Sequence, residues 1–180
     1  MKKPDFSQFP ELTTLRFLLR ELNVTDAYMI HTLRSDKETN AMIGRENSNG
    51  IDDALLFIEK IKKGIQLNEC IYWVICFKNS PEVIGTAGLW NFDPSAGTAE
   101  IGYELLRDLR GQGIMSEILP RLLQFGFEEM KLNWIAAFSP EQNDPSIRVL
   151  KKCGFRLTSS NDITHQDIPG MISFALAPSR

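Results

Sequence analysis

Leu109 to Glu117, reading L-R-G-Q-G-I-M-S-E, constrains this chain more than any other stretch. A basic residue precedes two glycines separated by one residue, and an apolar-periodic run starts immediately afterwards. Before the stretch lies an apparent strand, Ala99 to Leu105; after it comes an apparent helix, Ile114 to Met130. Glycine lets the backbone approach a ligand closely, and the first-turn N–H groups of a helix have no internal acceptor. Strand, glycine-rich turn and helix N-terminus in that order make an anion-binding element. The same glycine spacing also occurs in plain strand-to-helix connections, so the rest of the chain must decide its meaning.

At 180 residues, the chain is expected to form one domain, 1–180, with its core at about 12–176. A net charge of -3, with no basic stripe, argues against a general nucleic-acid binder. Cys70, Cys76 and Cys153 have no paired spacing, and with only His31 and His165 beside them no zinc pattern can be assembled. No metal is therefore expected. No stretch approaches the ~20 apolar residues of a membrane span. Pro4, Asp5 and Gln8 follow the opening lysines where a signal peptide would be apolar. The expectation is a soluble, cytoplasmic protein with reduced thiols.

In chain order, Leu12 to Leu22 reads as a first strand, and Thr25 as the cap of a helix beginning at Asp26. Ser35 to Asn49 is polar and reads as loop with at most a helical turn. Ile51 to Lys63 is an amphipathic helix with Asp52 and Asp53 in its first turn and Gly64 as its stop. Ile71 to Phe77, Glu82 to Trp90 and Ala99 to Leu105 form an antiparallel meander punctuated by Asn79-Ser80-Pro81 and Asp93 to Gly97. Pro120 inside the long helix predicts a kink or a locally lost hydrogen bond. Asn133 to Phe138 is a further strand. A short helix opens at Asp144-Pro145 and closes at Gly154, and Phe155 to Leu157 and Met171 to Leu176 complete the sheet. This order predicts a single α/β (α+β) domain, with a mixed, mostly antiparallel sheet of about six to seven strands and about four helices.

A second stretch, Asn143 to Phe155 (N-D-P-S-I-R-V-L-K-K-C-G-F), gives the loop its meaning. The tandem of A-E-I-G-Y-E-L, L-R-G-Q-G-I-M-S-E and N-x-x-S-I-R-V-L-K-K-C-G-F resembles the GNAT superfamily of acetyl-CoA-dependent N-acetyltransferases. It looks most like the branch that acetylates N-termini of ribosomal proteins, whose opening strand L-T-T-L-R-F-L-L-R-E-L also matches. The resemblance runs from about Leu12 to Leu176. It implies a V-shaped splay between Ala99–Leu105 and Asn133–Phe138, with the pantetheine arm of coenzyme A pairing along Tyr103 and Leu105 as an added strand would. A backbone N–H of that strand would also hold the oxyanion. The coenzyme A pyrophosphate would sit on the backbone of Arg110, Gly111, Gln112, Gly113, Ile114 and Met115, with the Ser116 hydroxyl adjacent. Met115 replaces the family's small residue, which leaves its backbone N–H in place.

The resemblance also assigns chemistry. The tyrosine that many members place on the second helix falls at Leu150 and is missing. Ser146, one turn earlier, takes the acid role toward the departing thiolate, and Asn143 becomes a pantetheine ligand. Glu100 is the expected base, directly or through water, ahead of Glu104 on the same strand face. His31 is expected to pack and His165 to have no role; Trp90, Asn91 and Phe92 are expected at the border of the acceptor site. Cys153 is read as packing, which excludes a cysteine acyl-enzyme. The expected co-substrate is acetyl-CoA. The expected acceptor is a peptide N-terminal α-amine, with a small-molecule amine as the alternative and a non-catalytic acyl-CoA-binding module as a third reading. No nucleic-acid or membrane partner is expected, and the chain would act as a monomer or homodimer.

Overall fold

The computed structural model of the chain describes residues 4–158 and 170–178. Its elements are β1 (Leu12–Thr13), β2 (Phe17–Glu21), α1 (Ala27–Arg34), α2 (Lys37–Ile43), α3 (Ile51–Gln66), β3 (Cys70–Phe77), β4 (Val83–Asp93), β5 (Thr98–Leu105), α4 (Ile114–Gln124), β6 (Trp134–Pro140), α5 (Asp144–Lys152), β7 (Arg156–Thr158) and β8 (Met171–Leu176). Among the described residues no helix is long and apolar enough to cross a membrane.

The strands form one sheet in the order β1-β2-β3-β4-β5-β6-β8-β7. Every pairing is antiparallel except β5 with β6, which the α4 crossover makes parallel. Strand alternation divides the side chains between two cores. Ile71, Trp73 and Ile75 of β3 join Ile118, Leu119 and Leu122 of α4 in the larger one. On the other face, Val74 and Cys76 pack with Ile30 of α1 and with Ala54 and Ile58 of α3. A strand buried on both sides has no polar face, which is why C-I-Y-W-V-I-C-F is a continuous apolar run.

The splay follows from the register. β5 meets β6 only from Thr98↔Trp134 to Ile101↔Ala137. Beyond that point Gly102 to Leu105 stay with β4, while Phe138 to Pro140 stay with β8. The two strands part there and leave a V whose walls retain their outer hydrogen bonds.

Local differences from expectation have identifiable causes. The first strand is broken at 14–16 into a hairpin, Leu12↔Leu19 and Thr13↔Leu18, which raises the strand count to eight among the described residues. Glu117 of α4 holds this turn through Thr14 Oγ1 (2.6 Å), the Arg16 N–H (2.8 Å) and Arg16 Nε (2.7 Å). Thr25 caps no helix, because it lies inside a 3-10 turn, Val24–Asp26, and α1 starts at Ala27. The Asp26 carboxylate there takes a two-pronged contact from Arg20. The polar segment 35–49 contains a true helix, α2, giving five α-helices among the described residues. Asp36 caps it by accepting from the Thr39 N–H, and it ends at Gly44. Gly64 does not stop α3, which runs on to Gln66 and ends beside Asn68, at φ 57°. Pro120 sits on the exposed face of α4, and the helix continues through it before loosening into a π-turn at Phe125–Glu129.

Candidate active site

The loop after β5 opens with a 3-10 turn, Arg107–Leu109, and reaches α4 through Gly111 and Gly113. These two glycines have φ of 78° and 74°, in the left-handed region that L-residues avoid. The reversed backbone aims the first turn of α4 outward. The N–H groups of Ile114, Met115 and Ser116 precede the first intrahelical bond, Glu117 N–H to the Gly113 carbonyl at 3.2 Å. The Ile114 and Met115 side chains are buried in the core, so the unusual methionine serves packing while its N–H remains at the loop.

Arg110 does not present its guanidinium to the loop's mouth. Its Nη2 reaches Asp36 Oδ2 (2.8 Å) and Thr39 Oγ1 (3.1 Å), and Nε reaches the Leu105 carbonyl (3.2 Å). It thus pins the end of β5 and the start of α2 to the loop. Although burial works in the other direction, hydrogen bonds from Thr39 and Arg110 hold the Asp36 carboxyl below the usual carboxylate range.

Across the V, Asn143 caps α5 by accepting the Ser146 N–H on Oδ1 at 3.2 Å, and Pro145 occupies the first turn. This places Ser146 at the helix start, opposite β5. Its Oγ lies 2.9 Å from the hydroxyl of Tyr103. Burial pushes the Tyr103 phenol up to about 12, although the bond to Ser146 acts against it. One cleft of about 440 Å³ joins these parts. It is lined by Tyr103, Leu105, Arg110, Gly111, Gly113, Ile114, Met115, Ser116, Asn143 and Ser146. Ten of the twelve expected site residues therefore meet in one place.

Gln112 and Glu100 do not line it. The Gln112 side chain turns back to the Asp108 carbonyl (3.0 Å). Glu100 lies in the closed part of the V, in register with Ala136, and accepts from Trp90 Nε1 at 3.2 Å. The Trp90 ring lies over Gly102, where a Cβ would come within 2.2 Å of it. Glu104 does reach the cleft, but Arg45 grips it with two bonds of 2.8 and 2.9 Å. His31 is held by Ser48 and Ser35 as a packing residue. Phe92 stacks at 6.1 Å on Phe6, and Asn91 takes a φ of 50° in the β4 irregularity. His165 lies outside the described residues. Burial raises the Cys153 thiol, and the residue does not line the cleft.

Several cleft residues were not singled out in the sequence. Arg148 and Lys152 are exposed cations on its α5 wall, beside Pro145 and Val149. Arg148 follows Pro145 by three residues and Lys152 follows Arg148 by four, and that one-face spacing was the available signal. Thr39 and Met42 come from α2, a helix announced by Asp36 and Gly44 that sequence reading took as loop.

This arrangement offers uncommitted N–H donors, two cations and a hydroxyl pair along one groove. The family model for the acetyltransferase (GNAT) domain matches residues 16–156. The chain belongs to the GNAT acetyltransferase family. It is 32% identical over 148 residues to the uncharacterized N-acetyltransferase YoaA of Bacillus subtilis, covering 82% of this chain and 84% of that one. Among solved structures it superposes on the ribosomal-protein-S5-alanine acetyltransferase from Vibrio fischeri with a TM-score of 0.76 at 19% identity, covering 93% and 96% of the two chains. It also superposes on the microcin C7 self-immunity acetyltransferase MccE, solved with acetyl-CoA and AMP, with a TM-score of 0.74 at 19% identity, covering 91% and 93%. This GNAT chain is an N-acetyltransferase, and its mostly antiparallel open sheet is the family's fold.

Proposed function

We propose that the cleft is an acetyl-CoA site from which acetyl passes directly to an N-terminal α-amine of a protein, of the ribosomal-protein type. The observation that carries the donor half is the single groove joining the N–H groups of Ile114, Met115 and Ser116 to the Ser146 hydroxyl. A pyrophosphate fits those donors and the positive end of α4, with Arg148 and Lys152 adding charge at the mouth. Arg110 contributes through the loop it braces. The backbone of Tyr103 is the pairing edge for pantetheine, since the Leu105 carbonyl is already engaged by Arg110. Asn143 uses Oδ1 as a cap and retains Nδ2 for the ligand.

Attack of the amine on the thioester builds an oxyanion, held by a β5 N–H, and then expels the thiolate. Ser146 donates to the sulfur. Glu100 sits on the face of β5 shared with Glu104 and takes the amine's proton through water. An α-amino group with a reference pKa of ~7.7–8 needs little help to lose it. The names of relatives support the acceptor: the Vibrio fischeri protein is named a ribosomal-protein-S5-alanine acetyltransferase, and a 71-residue stretch is 34% identical to a Bacillus subtilis protein named "Putative ribosomal N-acetyltransferase YdaF".

A screen of N-terminal peptides and small amines for acetyl-CoA-dependent thiol release tests this reading. Turnover is expected with peptides. Turnover confined to polyamines, amino acids or antibiotics would overturn the acceptor, and tight acetyl-CoA binding without thiol release to any amine would overturn catalysis.

A further inference from the structure

Ser146 alone is a poor source for the proton that the departing thiolate needs. An aliphatic hydroxyl is about as weak an acid as water, with a pKa of ~15.7, whereas a thiol has ~8.5. A transfer that left a serine alkoxide behind would run uphill by about seven powers of ten. The missing family tyrosine sharpens this difficulty, because its position is filled by Leu150, which is buried in the core.

The fold supplies a phenol from another direction. Tyr103 lies on β5 in the part of the V where β5 has left β6, and its hydroxyl meets Ser146 Oγ at 2.9 Å, 43 residues away in sequence. It also lies 3.5 Å from the Ser146 carbonyl, which fixes the phenol against the first turn of α5. Both side chains line the cleft. With the Tyr103 O–H donating to Ser146 Oγ, the Ser146 proton is left to point into the groove.

We propose that Tyr103 is the proton reserve behind Ser146, so that two hydroxyls act in series on the leaving sulfur. As the C–S bond of the tetrahedral intermediate breaks, its electron pair goes to sulfur. Sulfur takes the Ser146 proton, and Ser146 Oγ takes the proton of Tyr103. The charge ends on the phenolate and never on a serine alkoxide. The amine nitrogen sheds its remaining proton to water, and the phenolate regains one from the same solvent. Burial keeps Tyr103 protonated at neutral pH, since its phenol is pushed up to about 12. That value still shortens the uphill step to roughly three or four powers of ten against a thiol of ~8.5. Tyr103 acts through Ser146 and is a positioning and relay residue. The inference rests on Ser146 being the acid.

Two measurements on the full chain separate the layers. The first uses coenzyme A itself and needs no acceptor: the ultraviolet absorbance of its thiolate is titrated in complex with the wild type, Tyr103→Phe and Ser146→Ala. A donor aimed at sulfur stabilises the thiolate, so the bound thiol should titrate lowest in the wild type, higher in Tyr103→Phe and highest in Ser146→Ala. The second compares turnover with the fastest acceptor from the screen. Tyr103→Phe should lower kcat about 10- to 100-fold, with the KM for acetyl-CoA within about twofold. The proton inventory in mixed light and heavy water should pass from curved, with two protons moving, to linear. An unchanged titration and a curved inventory in Tyr103→Phe, with Ser146→Ala altered, would overturn the relay and leave Ser146 as acid. If Ser146→Ala also titrates like the wild type, the acid reading itself fails and the relay falls with it.

Discussion

Replacing Gly113 by alanine isolates the backbone of the anion loop from every other effect. Gly113 caps α4 at φ 74°, and a Cβ built on it meets nothing within 4 Å. Alanine therefore brings no clash, and its whole cost is conformational. Holding an L-residue in the left-handed region costs about 1–2 kcal/mol, and for a chain of this size that is about 2–8 °C in Tm. Asparagine tolerates the region, so Gly113→Asn should recover most of the loss. If the alanine loop instead relaxes, reforming it around the pyrophosphate costs the same energy. The KM for acetyl-CoA should then rise about 5- to 30-fold, the factor corresponding to one or two kcal/mol. The kcat at saturation and the acceptor's KM should stay put. Thermal unfolding and initial rates of thiol release at varied acetyl-CoA read both quantities. An alanine variant that melts and saturates like the wild type would refute the reasoning, as would an asparagine variant as damaged as alanine.

Other consequences follow from the same contacts. Glu117→Gln should lower Tm at neutral pH by a few degrees, corresponding to about 1–2 kcal/mol once the exposure of Arg16 is allowed for. Its pH dependence has a definite sign: despite burial, Thr14 and Arg16 hold the Glu117 carboxyl down to about 2, so the native state binds fewer protons than the unfolded one. The contribution is complete above the ordinary value of ~4.3 and disappears as pH falls toward about 2. Wild type and Glu117→Gln melting curves should therefore converge in acid, and parallel curves at all pH values would contradict this. Removing both Arg148 and Lys152 should raise the KM for acetyl-CoA about 3- to 10-fold and weaken its salt dependence. Acetyl-pantetheine, which lacks the phosphates, should be used equally well by both forms; an equal loss with that donor would show that the cations act on the fold.

What could be read directly from the chain was whatever depends on neighbours in sequence. The glycines of L-R-G-Q-G announce a left-handed turn, N-D-P-S announces a capped helix, and the apolar periods distinguish α4 and α5 from the strands beside them. These are short-range preferences of backbone and side chain, and they are enough to place the anion loop and Ser146 at the starts of two helices. The apolar run Ile71 to Phe77 likewise announced a strand, β3.

Tertiary structure decided what depends on residues far apart. Glu117 anchors the Thr14–Arg16 turn, and there the expected first strand breaks into a hairpin. Arg110 was expected to offer its backbone to the pyrophosphate; what its guanidinium does was decided by Asp36 and Thr39, more than 70 residues earlier, which engage it and make it a brace. Glu100 and Glu104 share a strand face, yet register put the first in the closed part of the V and Arg45 claimed the second. Ser146 on α5 meets the Tyr103 phenol from β5, a contact invisible in any local window because only the divergence of β5 from β6 brings the two hydroxyls to 2.9 Å. Charge and hydrogen-bonding capacity are carried by the sequence. Which donor meets which acceptor is settled by the sheet's register and by where its two central strands part.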